Sequence, residues 1–486
     1  YIFKHALIQD AAYQSLLKRT RQQYHQQVAQ LLEQRFPETV EAHPELVAHH
    51  FGEAGCAEEA VTYSHKAGQI ALARSANVEA ATHLERGLEL LAQLPETPER
   101  HERELEMQMA LGPALVAARG FAVPAVGQAY ARAWELCRLL EDDARLPLVL
   151  RGRQVFHLMS GELNEAREFA EEFLDLAERL QDPALMVGSY HALGQTLFFH
   201  GDLTASRSTV EKGIALFDPA RHRLSNWSGG QPGEQCYLYG AFSLWMLGYP
   251  DQAMRRSEEA LAMANELPNP ANLINTLCFV ADVHVLRREP SAARQRAQAT
   301  MDMSAEQRNP SFLGPSMVLH GWAQAAQDQV EDGMAEIEQG IATFEATGVR
   351  TWMPFFLGLQ AEAYGRAKRT DDGLGSVSEA LALAEKTEEH CWRAELCRIK
   401  GELLLALSSK HHAEAERCFC QALDLARAQQ AKSWELRAAM SLARLWQAQG
   451  KADEARNLLA PIYAWFTEGF DTADLQEAKA LLDRLE

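Results

Sequence analysis

Gly161-Glu162-Leu163-Asn164-Glu165-Ala166, Gly201-Asp202-Leu203-Thr204-Ala205-Ser206 and Gly248-Tyr249-Pro250-Asp251-Gln252-Ala253 are three versions of one phrase. Each puts a small residue just past a short turn, where an amphipathic helix begins. The series continues at Ala293, Gly333, Gly373, Ala415 and Ala455, with spacings from Ala166 onward of 40, 47, 40, 40, 40, 42 and 40. Val126 lies 40 residues before Ala166, Ala80 lies 46 before Val126, and Ala60 opens the series. A fixed period of this length means stacked supersecondary units.

A second position keeps phase seven residues on: Ala67, Gly87, Ala133, Phe173, Gly213, Ala260, Thr300, Gly340, Ala380, Ala422 and Ile462. Residues seven apart share one helical face, and mostly small side chains there let a neighbouring helix come close. Helix starts are written as Asp182-Pro183, Asn269-Pro270 and Asn309-Pro310, an N-cap followed by proline at the first helical position. Large aromatics recur at Phe312, Trp352, Trp392 and Trp434, a stripe whose strict period reads as core packing. Each unit is therefore helix, tight turn, helix and a short capped link. One such pair cannot bury its own apolar face, so the pairs must stack. No segment alternates with period two.

These residues resemble the tetratricopeptide repeat. Leu193-Gly194 with Leu197, Gly201-Asp202 and Ser206 follows that spacing, as do Ala241-Leu244-Gly248-Ala253 and Ala443-Trp446-Gly450-Ala455. The period of about 40 exceeds the usual 34 by under one turn per helix. The expected fold is an all-α, right-handed superhelix of about eleven helix pairs. Two longer spacings mark loops, at Gly120–Pro124 and across 218–234, where Gly, Pro, Ser and Asn crowd.

Composition sets outer limits. The 486 residues carry 47 Lys+Arg against 67 Asp+Glu, a formal charge of −20. That balance speaks against a nucleic-acid surface. No apolar run approaches a membrane span; Leu403–Leu407 is about the longest. Eight cysteines without a CxxC pair fit reduced thiols and a cytoplasmic location. The chain opens on Tyr1 with no signal peptide, as a piece of a longer protein would.

The ends carry a further resemblance. Residues 1–35 have five basic and two acidic side chains, against a net −23 in the rest. Tyr1-Ile2-Phe3-Lys4-His5-Ala6-Leu7-Ile8-Gln9-Asp10-Ala11-Ala12-Tyr13 is similar to the close of the ATPase module in bacterial fusions of a class III adenylate/guanylate cyclase, a P-loop signalling ATPase and a repeat region. His43–Phe51, Ser75–Ala80, Trp245–Ala253 and Phe470–Lys479 resemble the repeat region of those proteins. The resemblance implies the end of an ATPase, winged-helix-like module at 1–40, a solenoid at 41–470 and a capping helix at 471–486. It implies a sensory, protein-interaction role that restrains or couples the upstream ATPase and cyclase in cis. ATP and Mg would be bound upstream. This chain has no Gly-x4-Gly-Lys-Ser/Thr phosphate loop and no recognisable cyclase metal pair, so neither cofactor nor catalysis is expected here. Alternatives are the solenoid of a maltose-activator-type transcriptional regulator, a free-standing scaffold, or an enzyme built on His/Cys groups.

Individual residues follow from these resemblances. In tetratricopeptide arrays the first helix of each pair lines the concave side. That puts Gln195 and Phe198, Phe242 and Trp245, Asp282 and Val285, and Trp322 and Ala325 on an inner face, where a protein or peptide would dock. Packing between adjacent pairs is the competing account of the same residues. His5 and Asp10 are candidates for contact with the nucleotide domain, weighed against a buried, locally satisfied His. His390, Cys391, Cys397, His411, His412, Cys418 and Cys420 suggest a zinc site only weakly, because i and i+2 do not share a helix face. His43, His49 and His50 read as packing on a short amphipathic helix.

Overall fold

The structure, a computed structural model, describes residues 13–219, 230–266, 269–307 and 310–485. Among these residues the secondary structure is helical, with no strand. The chain divides into two compact units, residues 1–152 and 153–486. The first unit holds α1 (Lys18–Arg35), α2 (Pro37–Ala42), α3 (Pro44–Ala54), α4 (Ala57–Ala73), α5 (Asn77–Leu91), α6 (Pro98–Arg119) and α7 (Pro124–Leu140). Helix α8 (Leu146–Ser160) spans the division. The second unit continues with α9 (Leu163–Leu180), α10 (Pro183–His200), α11 (Leu203–Leu216), α12 (Pro232–Met246), α13 (Pro250–Glu266), α14 (Pro270–Leu286), α15 (Pro290–Glu306) and α16 (Leu313–Ala326). It ends with α17 (Val330–Glu345), α18 (Met353–Arg366), α19 (Thr370–Lys386), α20 (Arg393–Leu407), α21 (His412–Ala428), α22 (Lys432–Ala448), α23 (Ala452–Trp465) and α24 (Ala473–Arg484). No described helix is long and apolar enough to cross a membrane.

Successive helices pack as hairpins, and the fold is a tetratricopeptide-like repeat solenoid. From Val126 onward the small residues read from the sequence lie on the second helix of each hairpin, and all of the series is buried. Ala60 and Ala80 fall on the adjacent helices α4 and α5, so their spacing is half a repeat. The closest approach is between α16 and α17. A Cβ at Gly321 would lie 2.5 Å from the Gly333 carbonyl oxygen, and one at Gly333 would lie 2.4 Å from the Gly321 carbonyl oxygen. Gly314 and Gly340 meet in the same way at 2.8 Å. Backbone touches backbone there, so hydrogen is the only side chain that fits.

The helix starts behave as their residue types dictate. The Asp182 carboxylate accepts the Ala184 and Leu185 N–H groups at 2.8 and 3.2 Å, and the Asn269 side chain accepts Ala271 N–H at 3.1 Å. Asn309 lies outside the described residues. Helix α12 starts at Pro232, so Gly233, expected in the large loop, belongs to a helix and packs against Phe217; residues 220–229 of that loop lie outside the described residues. The C-terminal helix α24 buries Leu475, Ala478 and Leu481 against α22 and α23.

The second unit closes on itself. Arg350 N–H donates to the Met159 carbonyl at 2.8 Å, and Thr204 Oγ1 donates to Gln430 Oε1 at 3.0 Å. Ser433 Oγ donates to the Trp245 carbonyl. At the far end, Glu468 Oε1 accepts the N–H groups of Asp251 and Gln252, both at 3.0 Å, while Asp251 Oδ2 accepts Gly469 N–H at 2.9 Å. Glu468 thus caps the start of α13 from 216 residues away. Replacing it by alanine should lower the stability of the second unit by about 1–2 kcal/mol, the usual loss of an N-cap. Glu468→Gln should lose less, because Oε1 is kept. Denaturant midpoints, with hydrogen exchange at Asp251 and Gln252, measure both.

Candidate functional site

The closure decides where the inner-face residues go. Gln195, Phe198, Phe242, Trp245, Asp282 and Trp322 are all buried, none more than 4% exposed. The expectation of an open inner face lined by them is corrected. The starts of α18, α20 and α22 cover α10 and α12, so the two aromatic series meet. Phe198 lies 5.8 Å from Trp392, Phe242 lies 5.4 Å from Trp352, and Trp245 lies 4.6 Å from Trp434, all edge-on. The stripe residues Trp352, Trp392 and Trp434 are core, and Phe312 is half-buried. Gln195 Nε2 donates to the Tyr239 hydroxyl at 2.7 Å.

Three buried carboxyl groups accompany this spine. Asp282 Oδ1 has no hydrogen-bond partner, and burial pushes its pKa well up. Burial lifts Glu234 to about 7, against the opposing bonds from Thr276 and Asn272. Burial lifts Glu389 to about 8, although its Oε1 accepts the Trp352 N–H at 3.0 Å and the Trp392 Nε1–H at 2.7 Å. The first of these bonds holds Trp352 in a left-handed backbone conformation, φ 72°, rare for a bulky residue. Because both glutamates have folded pKa values above their unfolded value of 4.5, their contribution is full below pH 4.5 and is lost as pH rises through about 7 and 8. Stability of the second unit should therefore fall by a few kcal/mol between pH 5 and 9. Glu389→Gln should flatten that slope, as urea melts across the range will read.

Beside the spine a cavity of about 140 Å³ opens among α14, α16, α18, α20, α22 and α24. Trp322, Phe355, Trp392 and Trp434 form its aromatic wall, and four arginines face four carboxylates across it: Arg288, Arg398, Arg437 and Arg444 with Glu362, Glu395, Asp474 and Glu477. Arg437 is the hub. Its Nε donates to Asp474 at 2.8 Å, Nη1 to Glu395 at 3.2 Å and Nη2 to the Leu286 carbonyl at 2.6 Å. Its guanidinium lies 5.0 and 5.1 Å from the rings of Trp245 and Trp434. Arg398 forks onto both oxygens of Glu395 at 2.8 Å. Burial alone would raise the Glu395 pKa, but Arg398 and Arg437 outweigh it and hold it at about 2.

Arg288 bridges Asp474 and Glu477 at 3.1 and 2.9 Å. It does so from a left-handed position, φ 60°, that Gly161, Gly201, Gly248 and Gly450 fill in other repeats. A side chain where the repeat favours glycine carries about 1 kcal/mol or more of strain, which its ion pairs offset.

Of the sequence candidates, Trp322 and Val285 line the cavity; Gln195, Phe198, Phe242, Trp245 and Asp282 do not. His5 and Asp10 lie outside the described residues. Cys391 and Cys397 are buried and Cys420 is exposed. Burial raises the pKa of all three thiols. In the first unit, the Nδ1 atoms of His25 and His50 lie 2.8 Å apart in hydrogen-bond contact, with the His49 ring edge-on to His25 and tilted to His50, and His43 pairs with Glu45 at 3.0 Å. Among the described residues no three His, Cys, Asp or Glu side chains are placed to hold a metal ion. The charged network was missed, yet it has a signal. Phe355, Glu395 and Arg437 occupy one repeat position, three after Trp352, Trp392 and Trp434, and opposite charges in adjacent units mark a cross-repeat pair.

No family model matches the chain. An uncharacterized protein of Rhizobium meliloti (strain 1021) is 25% identical over 454 residues, 92% of this chain. The chain spans 43% of that relative's length. Among solved structures, a Rap protein complexed with Competence and Sporulation Factor aligns with a TM-score of 0.55 at 11% identity, over 78% of this chain and 99% of that one. A STAND protein with a tetratricopeptide repeat sensor from Pyrococcus horikoshii aligns with a TM-score of 0.40 at 11% identity, over 82% of this chain and 56% of that one.

Proposed function

We propose that this chain is a sensory, protein-interaction solenoid that regulates an upstream ATP-binding signalling ATPase and a class III nucleotidyl cyclase. The observation that carries the sensory part is the cavity. Helices of successive repeats all contribute to its wall; buried ion pairs join α20, α22 and α24, and the Arg437 bond to the Leu286 carbonyl ties in α14. A ligand held there touches groups that tie distant repeats together, so its binding free energy can bias their packing. Solenoid likeness to a structure that holds a bound factor supports the choice. The coupling to ATPase and cyclase is supported by Tyr1–Tyr13, which resembles the close of the ATPase module in cyclase–ATPase fusions, and by the greater length of the matched relative. The partners are a protein or peptide on the solenoid and the ATPase and cyclase domains in cis, with ATP and Mg bound there.

The test is made on the native full-length protein. Cyclic-nucleotide formation and ATP hydrolysis are compared before and after deletion of 153–486. A several-fold change in either rate is expected. Unchanged rates, or a native polypeptide with no cyclase or P-loop, would refute the reading.

A further inference from the structure

The cavity's bonding inventory is lopsided. All eight carboxylate oxygens of Glu362, Glu395, Asp474 and Glu477 already accept a bond or ion pair. Glu362 takes Arg366 at 3.0 Å and the Trp322 indole N–H at 3.2 Å. Glu395 takes Arg398 and Arg437, Asp474 takes Arg288 and Arg437, and Glu477 takes Arg288 and Arg444. The guanidinium groups, with about five N–H donors each, are not used up in the same way. Nη1 of Arg398 has only Glu402 Oε1 at 3.7 Å, beyond hydrogen-bond range. Arg444 engages Glu477 through Nη2 alone and is half-exposed at the rim. The cavity therefore offers unengaged guanidinium N–H donors, whereas every one of these carboxylate oxygens already accepts at least one bond.

Its remaining wall is aromatic and aliphatic: Trp322, Phe355, Trp392, Trp434, Leu359 and Ile399. A volume near 140 Å³ is that of apolar cavities that hold a single benzene-sized ring. Flat rings are matched by flat walls, and a planar anionic group is matched by guanidinium forks.

We infer that this cavity is the receptor site for a carboxylate carried on a single aromatic ring, with the ring against Trp322, Phe355 and Trp392 and the carboxylate received by Arg398 and Arg444. Two sources share this chemistry: a free aromatic acid, and the C-terminal residue of a peptide. The inference rests on the sensory reading above. Binding is measured on this chain alone, so the result stands apart from any effect on an upstream domain.

The 486-residue chain is titrated with 3-phenylpropionate, its neutral amide, and the tripeptide Ala-Ala-Phe as free acid and as C-terminal amide. Calorimetry and tryptophan fluorescence are the readouts, since three indoles line the cavity. The acids should bind and quench fluorescence, and the amides should bind at least tenfold more weakly, because a charge-assisted bond is lost. Tighter binding of the tripeptide acid than of phenylpropionate identifies the peptide source, and the reverse identifies the free acid. Arg444→Gln, at the rim, and Arg398→Lys, which keeps the charge but loses the fork, should each weaken binding about tenfold. The wild-type far-ultraviolet spectrum and melting point of Arg444→Gln secure the test should Arg398→Lys misfold. Absence of binding by either acid at 10 mM (about ten times a 1 mM Kd), equal binding of acids and amides, or wild-type affinity in Arg444→Gln would overturn the assignment.

Discussion

Arg437→Ala should destabilise the second unit by about 3–5 kcal/mol, the cost of breaking a buried ion pair from one side. The guanidinium is buried, and its removal takes a donor from three acceptors at once: Asp474, Glu395 and the Leu286 carbonyl. It also strips a cation from the faces of Trp245 and Trp434. Asp474 keeps Arg288 and Glu395 keeps Arg398, which places the loss in the lower half of the range. Arg437→Lys restores the charge but not the three-way fork, so it should recover only part. Guanidinium melts measure the three proteins. The Glu395 pKa supplies a second readout. Its folded value of about 2 lies below the unfolded 4.5, so its contribution is present above pH 4.5 and is lost as pH falls toward 2. In Arg437→Ala the folded pKa should rise toward 4.5, so that loss should be smaller and complete at a higher pH.

Gly321→Ala and Gly333→Ala should each destabilise by about 2–3 kcal/mol, although alanine is the better helix former by about 1 kcal/mol. The new methyl meets a carbonyl oxygen of the facing helix at 2.5 or 2.4 Å, and a backbone atom cannot rotate away. The helices must separate, and the buried contacts of Ile337, Val318 and Ala325 separate with them. Gly375→Ala is the contrasting case. Nothing lies within 4 Å of its added Cβ on α19, so the same exchange should stabilise by about 0.5–1 kcal/mol. Opposite signs for one chemical change, read by thermal melts, separate helix propensity from packing.

The glycine result shows what the sequence could disclose. Gly333 and Gly340 stand at repeat positions where small residues recur, and the structure presses another helix onto both. Repeat phase reports which faces of neighbouring helices meet, because that contact recurs every unit. Asp182 and Asn269 were readable for the same reason, since a cap acts within three residues. The closure was not readable. Phe198 meets Trp392 and Trp245 meets Trp434 across 194 and 189 residues, and no period links them. Superhelical pitch is the sum of small rotations between units, set by side-chain volumes at each interface. Residues assigned to an accessible inner surface thus became core. The division at 152 was equally silent, because Val126 and Ala166 keep the 40-residue spacing straight across it.

The reciprocal clasp between Glu468-Gly469 and Asp251-Gln252 changes how this array should come apart. Open arrays fray from their ends and tolerate trimming, since each unit feels only its neighbours. Here the last hairpin is also a lock on α13, the fifth helix after the boundary. Truncation near residue 466 would uncover the start of α13 and take Asp474 and Glu477 away from Arg288 and Arg437, so loss of order should be all-or-none within the second unit instead of progressive.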